Sequence, residues 1–296
     1  MNCAWNHDLN CQGRLVSGLW IINPQTFSPR KFRIMRIHNF AKPTLLTLAL
    51  TLTFGLGLRA EPIKTLIITG DNISVHDWKA STASIQQILK SPEGRFQVDV
   101  TATPATDLTD ANLAKYDVLI LNYFPTAQGG PDTKWSQANK DALLKAVKSG
   151  KGLVSHHFAS AAFARPNWEE FEKMIAGGWR TQGFHGPAHE FRVKKAGSHP
   201  ISDASPASFP HPTDELYSNN LLTPGSVVIA TAYCDPKLPK GTGKDEAVIW
   251  VNQYGSGRVY NNVLGHDSSA MADTAYQAWF RNGVEWAATG AVKAKN

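Results

Sequence analysis

Cysteine is scarce: the 296 residues hold three, Cys3, Cys11 and Cys234. If residues 1–60 are removed as a leader, Cys234 stands alone and no internal disulfide can form. The fold must then be held by core burial, with Cys234 expected as a partly buried small hydrophobe. Charge imbalance is absent beyond the N-terminus. The formal net charge of +6 arises in residues 1–60, where seven basic groups face one acid, Asp8, while residues 61–296 hold 23 basic and 23 acidic groups. The body of the chain therefore has no electrostatic reason to bind nucleic acid or a membrane surface. The apolar run at 45–58 has 14 residues, fewer than the about 20 of a spanning helix, so no stable membrane anchor is expected. There is no G-x-G-x-x-G after the first apolar run, no P-loop, no H-E-x-x-H and no G-x-S-x-G, which argues against nicotinamide and nucleotide cofactors. At 42% hydrophobic and 18% charged residues, disorder, collagen and coiled coil are excluded.

The N-terminus has a recognisable layout. From Met35 it runs through basic Arg36 and Lys42, the apolar stretch 45–58, and Ala60 before Glu61-Pro62, the pattern of a secretory signal peptide. Cleavage near Ala60 and export to the periplasm or beyond are expected, although Leu58 stands where a small residue is usual. Residues 1–34 lack clear periodicity and Met35 reads as the better start, so they are expected to be an upstream extension. Residues 61–296 contain neither a low-complexity linker nor an internal repeat and read as one domain.

Within that domain short β-branched runs alternate with amphipathic stretches, the pattern of α/β units around a mainly parallel sheet. Strands are expected at 64–69, 96–103, 117–122 and 152–155, with helices at 77–90 and 139–148 and a short one from Asp110. Further on, 168–175 reads as a helix closed by Gly177-Gly178. Residues 189–194, 226–232, 247–252 and 258–263 read as strands, and 273–288 as a closing helix. Residues 178–225 read as an insertion over one end of the sheet. His199 and His211 each precede a proline and read as turn residues.

In an open parallel sheet the functional crevice lies beyond the C-terminal strand ends. Four such ends deliver polar groups: His76-Asp77, Asn122-Tyr123, His156-His157 and His266-Asp267. Their convergence favours a functional site over four separate structural histidines. His185, in a Gly/Pro-broken segment with His189, adds a donor, but Gly186 and Pro187 break any helix that would align the two. Glu215, in the long segment over the crevice, is placed to act as general acid or base.

Gly70 with His76-Asp77-Trp78, GKGLVSHH at 150–157, the glycine-bounded segment 177–185, His199-Pro200-Ile201, Asp214-Glu215-Leu216-Tyr217, and residues 254–260 leading to Leu264-Gly265-His266-Asp267 together resemble the trehalose-utilisation, or ThuA-like, family. The resemblance spans about residues 63–288 and rests on the order and spacing of these motifs. It implies a flavodoxin-like, class I glutamine amidotransferase-like three-layer sandwich and a link to bacterial carbohydrate metabolism. In the amidotransferases the nucleophilic cysteine stands on the turn after the strand matching 152–155. Here that turn carries Ser155-His156-His157, so thiolate glutaminase chemistry is not expected there.

The leading expectation is an exported enzyme acting on a disaccharide, glycoside or keto-sugar by hydrolysis or isomerisation. His76, His156, His185 and His266 would serve as proton carriers or as ligands of a divalent metal such as zinc. Glu215 would be the general acid or base, and Asp267 would orient a histidine. Trp78, Trp179 and Tyr217 would offer stacking faces. Calcium does not suit nitrogen-rich ligands. The alternatives are a non-catalytic sugar-binding module and a domain of a larger exported assembly. The expected partners are a small-molecule carbohydrate and, for a homo-oligomer, further copies of the chain.

Overall fold

Continuous apolar runs in β-branched and leucine residues already call for cover on both faces of a sheet, and the computed structural model, which describes residues 61–90, 94–126, 130 and 133–293, has that arrangement. β1 (Ile63–Ile68) leads to α1 (Trp78–Leu89), then to β2 (Phe96–Thr101), α2 (Pro104–Asp107), α3 (Asp110–Leu113) and β3 (Val118–Leu121). α4 (Gln137–Lys148) and β4 (Gly152–His156) follow, then α5 (Glu169–Ile175) and the two-residue strand β5 (Gly177–Gly178). The second half holds β6 (His189–Lys195), α6 (Pro200–Asp203), β7 (Ser208–Asp214), β8 (Leu221–Leu222), β9 (Val227–Tyr233), β10 (Asp245–Tyr254), β11 (Gly257–Asn262) and α7 (Thr274–Thr289). The expected signal peptide and upstream extension lie outside the described residues.

Nine strands form one sheet in the order β2-β1-β3-β4-β11-β10-β9-β6-β7. The first five are mutually parallel, and the rest are added by antiparallel pairing. Counting directions, seven of the nine strands point the same way, only β10 and β6 being reversed. The parallel part has flavodoxin-like order, with the switch point between β1 and β3. β3 and β4 are buried throughout, as strands covered on both faces must be. On one face Ile67, Val118, Ile120 and Val154 pack with Ile85 and Leu89 of α1 and Trp279 and Phe280 of α7. On the other, Leu66, Leu119 and Leu153 pack with Leu143 and Val147 of α4 and Phe171 and Met174 of α5. This is the three-layer sandwich.

Local chemistry sets the element ends. The Asp77 side chain accepts from the N–H groups of Lys79 and Ala80 and caps α1. Ser136 and Asn139 form a reciprocal capping box on α4. α5 ends on Ala176 in the left-handed region, followed by Gly177 at φ 136°, where a Cβ would lie 1.9 Å from the Leu221 carbonyl oxygen. Only glycine permits β5 to pair with β8 that closely.

The expected insertion over residues 178–225 needs correcting. Its strands β6 and β7 extend the main sheet, and β7 is an unanticipated edge strand containing Pro210 and Pro212. Proline lacks the N–H a central strand needs, so an edge strand pairing only with β6 is where the two are tolerated. His211 is accordingly a buried strand residue instead of a turn residue. His199 does sit at a turn, where its Nδ1 accepts from Ile201 N–H and caps α6.

Candidate metal centre

The crevice at the C-terminal strand ends is built from four connections. After β1, the turn 73–76 is closed by the His76 N–H donating to the Ile73 carbonyl at 2.9 Å. After β4, His157 adopts φ 43°, a left-handed conformation uncommon for a side-chain-bearing residue. This single distortion separates two adjacent imidazoles. His156, the last residue of β4, follows strand alternation onto the face of Val154 and enters the layer of α7. There its Nδ1 lies 3.2 Å from Asn122 Oδ1, its Nε2 lies 3.0 Å from the Tyr276 hydroxyl, and its ring meets Phe280 edge-on. His157 turns instead toward the crevice, with Nδ1–H donating to the Val263 carbonyl at 2.8 Å.

The third and fourth connections meet at Asp214, the last residue of β7. Its fully buried carboxylate accepts from the N–H groups of Gly265 (2.7 Å), His266 (3.1 Å) and Glu215 (2.8 Å), and from His211 Nε2 at 2.7 Å. Burial pushes this carboxyl up, but the His211 hydrogen bond and the charges of His157 and His211 together with the Gly265 N–H bring it below the usual carboxylate range. Although three strands separate β7 from β11, Asp214 ties the end of one to the loop after the other and brings Glu215 and His266 together.

His76, His157, Glu215 and His266 thus converge, each offering a donor atom, and these atoms lie within 4.8 Å of one another. His76 Nε2 is 3.1 Å from His157 Nε2, and Glu215 Oε2 is 3.6 Å from His157 Nε2 and 3.3 Å from His266 Nδ1. Two donors sharing a tetrahedral zinc ion at about 2.0–2.1 Å stand about 3.3 Å apart, and the observed separations bracket that value. The buried Nδ1 of His266, which faces Glu215, has no hydrogen-bond partner, and the outward Nδ1–H of His157 is held by a carbonyl, as for a metal-ligating imidazole. Imidazole nitrogens with one carboxylate suit zinc or a related divalent transition ion, so the residues fit such a group.

The electrostatics agree. Burial and the neighbouring imidazoles of His157 and His266 push His76 down to about 3, against a weaker upward pull from Glu215. Burial pushes the Glu215 carboxyl up, but close polar contact with His157 and His266 outweighs it and holds the group well below its ordinary range. Glu215 in turn raises His266, against burial. At neutral pH the cluster has a carboxylate and an unprotonated His76, and it attracts positive charge to Glu215. A proton on His266 and a metal cation compete for that position.

A cavity of about 440 Å³ opens beside the cluster, with His76, Glu215, His185, Trp179 and Tyr217 on its wall. His185 stands at the rim. Its Nδ1–H donates to the Gly186 carbonyl at 2.7 Å, and its Nε2 faces Glu215 Oε1 at 3.6 Å. The Tyr217 hydroxyl, kept protonated by burial, lies 3.1 Å from His157 Nε2, whose single lone pair can serve either that hydroxyl or an ion. Trp179 packs edge-on against the Tyr217 ring at 4.5 Å.

The structure brings together three of the expected residues, His76, Glu215 and His266, with His185 adjoining. Two expectations are corrected. His156 is a buried structural group with both ring nitrogens occupied, and the imidazole that this turn presents to the cluster is its neighbour His157. Asp267 does not orient a histidine: its Oδ1 accepts from Ser269 N–H, Ser269 Oγ and Ala270 N–H and caps the turn at 270–272. Asp214 takes the positioning role, through backbone N–H groups. Among the proposed stacking faces, Trp179 and Tyr217 line the cavity, whereas Trp78 does not. Cys234 is buried, as expected. His157 is missed by strand periodicity because a left-handed dihedral sets the direction of its ring. No sequence signal announces the positioning role of Asp214, because the partners that join it to the His266 loop are backbone N–H groups some fifty residues away.

Comparison with known proteins adds a family. A family model described as trehalose utilisation (ThuA) matches residues 64–287. Comparison with curated proteins finds no match. Among solved structures, the chain is similar to a ThuA-like protein from Parabacteroides merdae at 30% identity and a TM-score of 0.68, covering 80% of this chain and 93% of that one. A ThuA-like protein from Bacteroides uniformis shares the fold at 19% identity and a TM-score of 0.59, covering 79% and 96% of the two chains.

Proposed function

Since the chain belongs to the ThuA, or trehalose-utilisation, family, with the carbohydrate-related role this carries, we propose that it is a metal-assisted enzyme acting on a disaccharide, glycoside or keto-sugar after export. One observation carries the reading: four donor atoms from His76, His157, Glu215 and His266 within 4.8 Å of one another, beside a cavity of small-molecule size.

Three of these four side chains would suffice to hold a divalent ion such as zinc and leave a position open, and the ion when bound supplies Lewis acidity toward a substrate oxygen. The chain's own groups do the rest. Trp179 and Tyr217 present apolar ring surface to a sugar. His185, fixed by its Nδ1–H bond to Gly186, keeps Nε2 facing the cavity and can accept and return a proton there. The Tyr217 hydroxyl stays protonated throughout the physiological range and stands beside His157 at the cavity wall.

The test is elemental analysis of the untagged chain by plasma mass spectrometry. About one zinc-class ion per chain is expected, lost in His157→Ala and in Glu215→Gln and retained in His156→Gln. Less than a tenth of an equivalent in the parent chain after loading with zinc would overturn the assignment. In a glycoside and keto-sugar screen, His185→Gln is expected to lower turnover about 100-fold with metal retained. Saturable sugar binding without any product would instead identify a binding module.

A further inference from the structure

The cavity wall is unevenly charged. Among the residues lining it, Glu215 is the only acid, and that carboxylate is occupied by the imidazoles around it. Two arginines, Arg165 and Arg180, line the same cavity. Arg180 is buried, at 8% exposure. Its Nε donates to Glu172 Oε2 at 2.6 Å and its Nη1 to the carbonyls of Ser160 (2.9 Å) and Trp179 (2.7 Å). Its Nη2 is buried and has no partner. Buried donors are nearly always satisfied, so an orphan on a guanidinium beside a cavity marks a place for an acceptor. Arg165 is exposed and makes no hydrogen bond or ion pair with any described residue.

Much of the remaining wall is aromatic, from Phe124, Phe158, Phe163, Trp179 and Tyr217. Such surroundings strengthen charge recognition by lowering the local dielectric. A cation at the histidine cluster would add further positive charge. Glu172 pairs with the charge of Arg180, so a neutral sugar would leave Arg165 without a counter-charge and the buried Nη2 of Arg180 without an acceptor, and a planar guanidinium matches the paired oxygens of a carboxylate or phosphate.

We propose that the molecule taken into this cavity is an acidic sugar, carrying a carboxylate or phosphate that Arg180 and Arg165 receive while its ring lies on the aromatic wall. The proposal rests on the reading of this cavity as the substrate site. It narrows the substrate from sugars in general to anionic ones.

Calorimetric titration of the zinc-loaded full chain with D-glucose, D-glucuronate and D-glucose 6-phosphate tests it, with zinc content measured on the same samples. At least one anionic sugar is expected to bind tenfold or more tightly than glucose, and the winner tells a carboxylate site from a phosphate site. Arg165→Ala, an exposed position whose loss disturbs no internal contact, is expected to reduce that preference at least threefold. Arg180→Gln, with folding verified by circular dichroism, is expected to abolish it. Equal affinity for charged and neutral sugars overturns the proposal, as does failure of both anionic sugars to bind. A preference unchanged in both variants, meaning attraction by the metal alone, overturns it too. Stoichiometric zinc without an anionic preference defeats only this inference, whereas absence of metal defeats the earlier reading.

Discussion

Two consecutive imidazoles, His156 and His157, have opposite surroundings, and the reason is a backbone dihedral. Strand alternation commits His156 to the α7 layer, while φ 43° at His157 swings the next ring into the crevice. Burial first, then the charge of His157, pushes His156 down to about 3, partly countered by Asp214. Unfolding returns it to about 6.5. Because the folded-state value is the lower one, the unfolded chain takes up the proton first. The contribution of a neutral His156 is therefore intact above pH 6.5 and is lost as pH falls below it. Between pH 6.5 and pH 5 the metal-free protein should lose about 2 kcal/mol from this group alone. His156→Gln should remove that part of the slope in urea unfolding measured across this range. An unchanged slope would mean the ring is not buried as a neutral base.

At the scale of elements, the site depends on how closely α7 approaches the sheet. Gly283 lies mid-helix, and a Cβ there would stand 2.4 Å from the buried ring of Tyr260 in β11. Tyr260 in turn donates to the Trp279 carbonyl at 3.2 Å. α7 also supplies Tyr276 and Phe280 to the His156 ring, so its spacing reaches the turn that presents His157. Alanine would ordinarily gain about 1 kcal/mol over glycine in a helix interior. Here overpacking against a ring with no room to move should reverse the sign, and Gly283→Ala should lose about 1–2 kcal/mol net. The urea midpoint reads this directly, and a stabilised variant would show that the helix sits farther out. The elements themselves were readable in advance: β1, α1, β3, α4, β10, β11 and α7 fall within a few residues of their expected bounds, because burial imposes a period of 3.6 on the helices and short continuous apolar runs on strands covered on both faces. β7 was not, because its two prolines argue against a strand unless it is known to lie at an edge.

For the whole molecule, the proposed ligands would come from the ends of β1, β4, β7 and β11, which would make metal binding and folding one equilibrium. The unfolded chain has no such cluster, so free zinc at 100 times its dissociation constant should add about 2.7 kcal/mol of stability. That corresponds to a rise of about 5–10 °C in Tm for a domain of this size, reversed by chelator. A Tm insensitive to both zinc and chelator would remove the four residues from consideration as ligands. The sequence by itself determined the α/β class, the parallel strands and the delivery of His76, His266 and the His156-His157 pair to the C-terminal edge, since each follows from local periodicity and one topological rule. It also carried the family, through the order of its motifs. The tertiary structure alone decided that His157 and not His156 enters the site, that Asp214 positions Glu215 and His266, and that Asp267 caps a turn. The first depends on one left-handed dihedral, the second on backbone partners far away in the chain and the third on a local turn, and none of these leaves a periodic trace in the order of side chains.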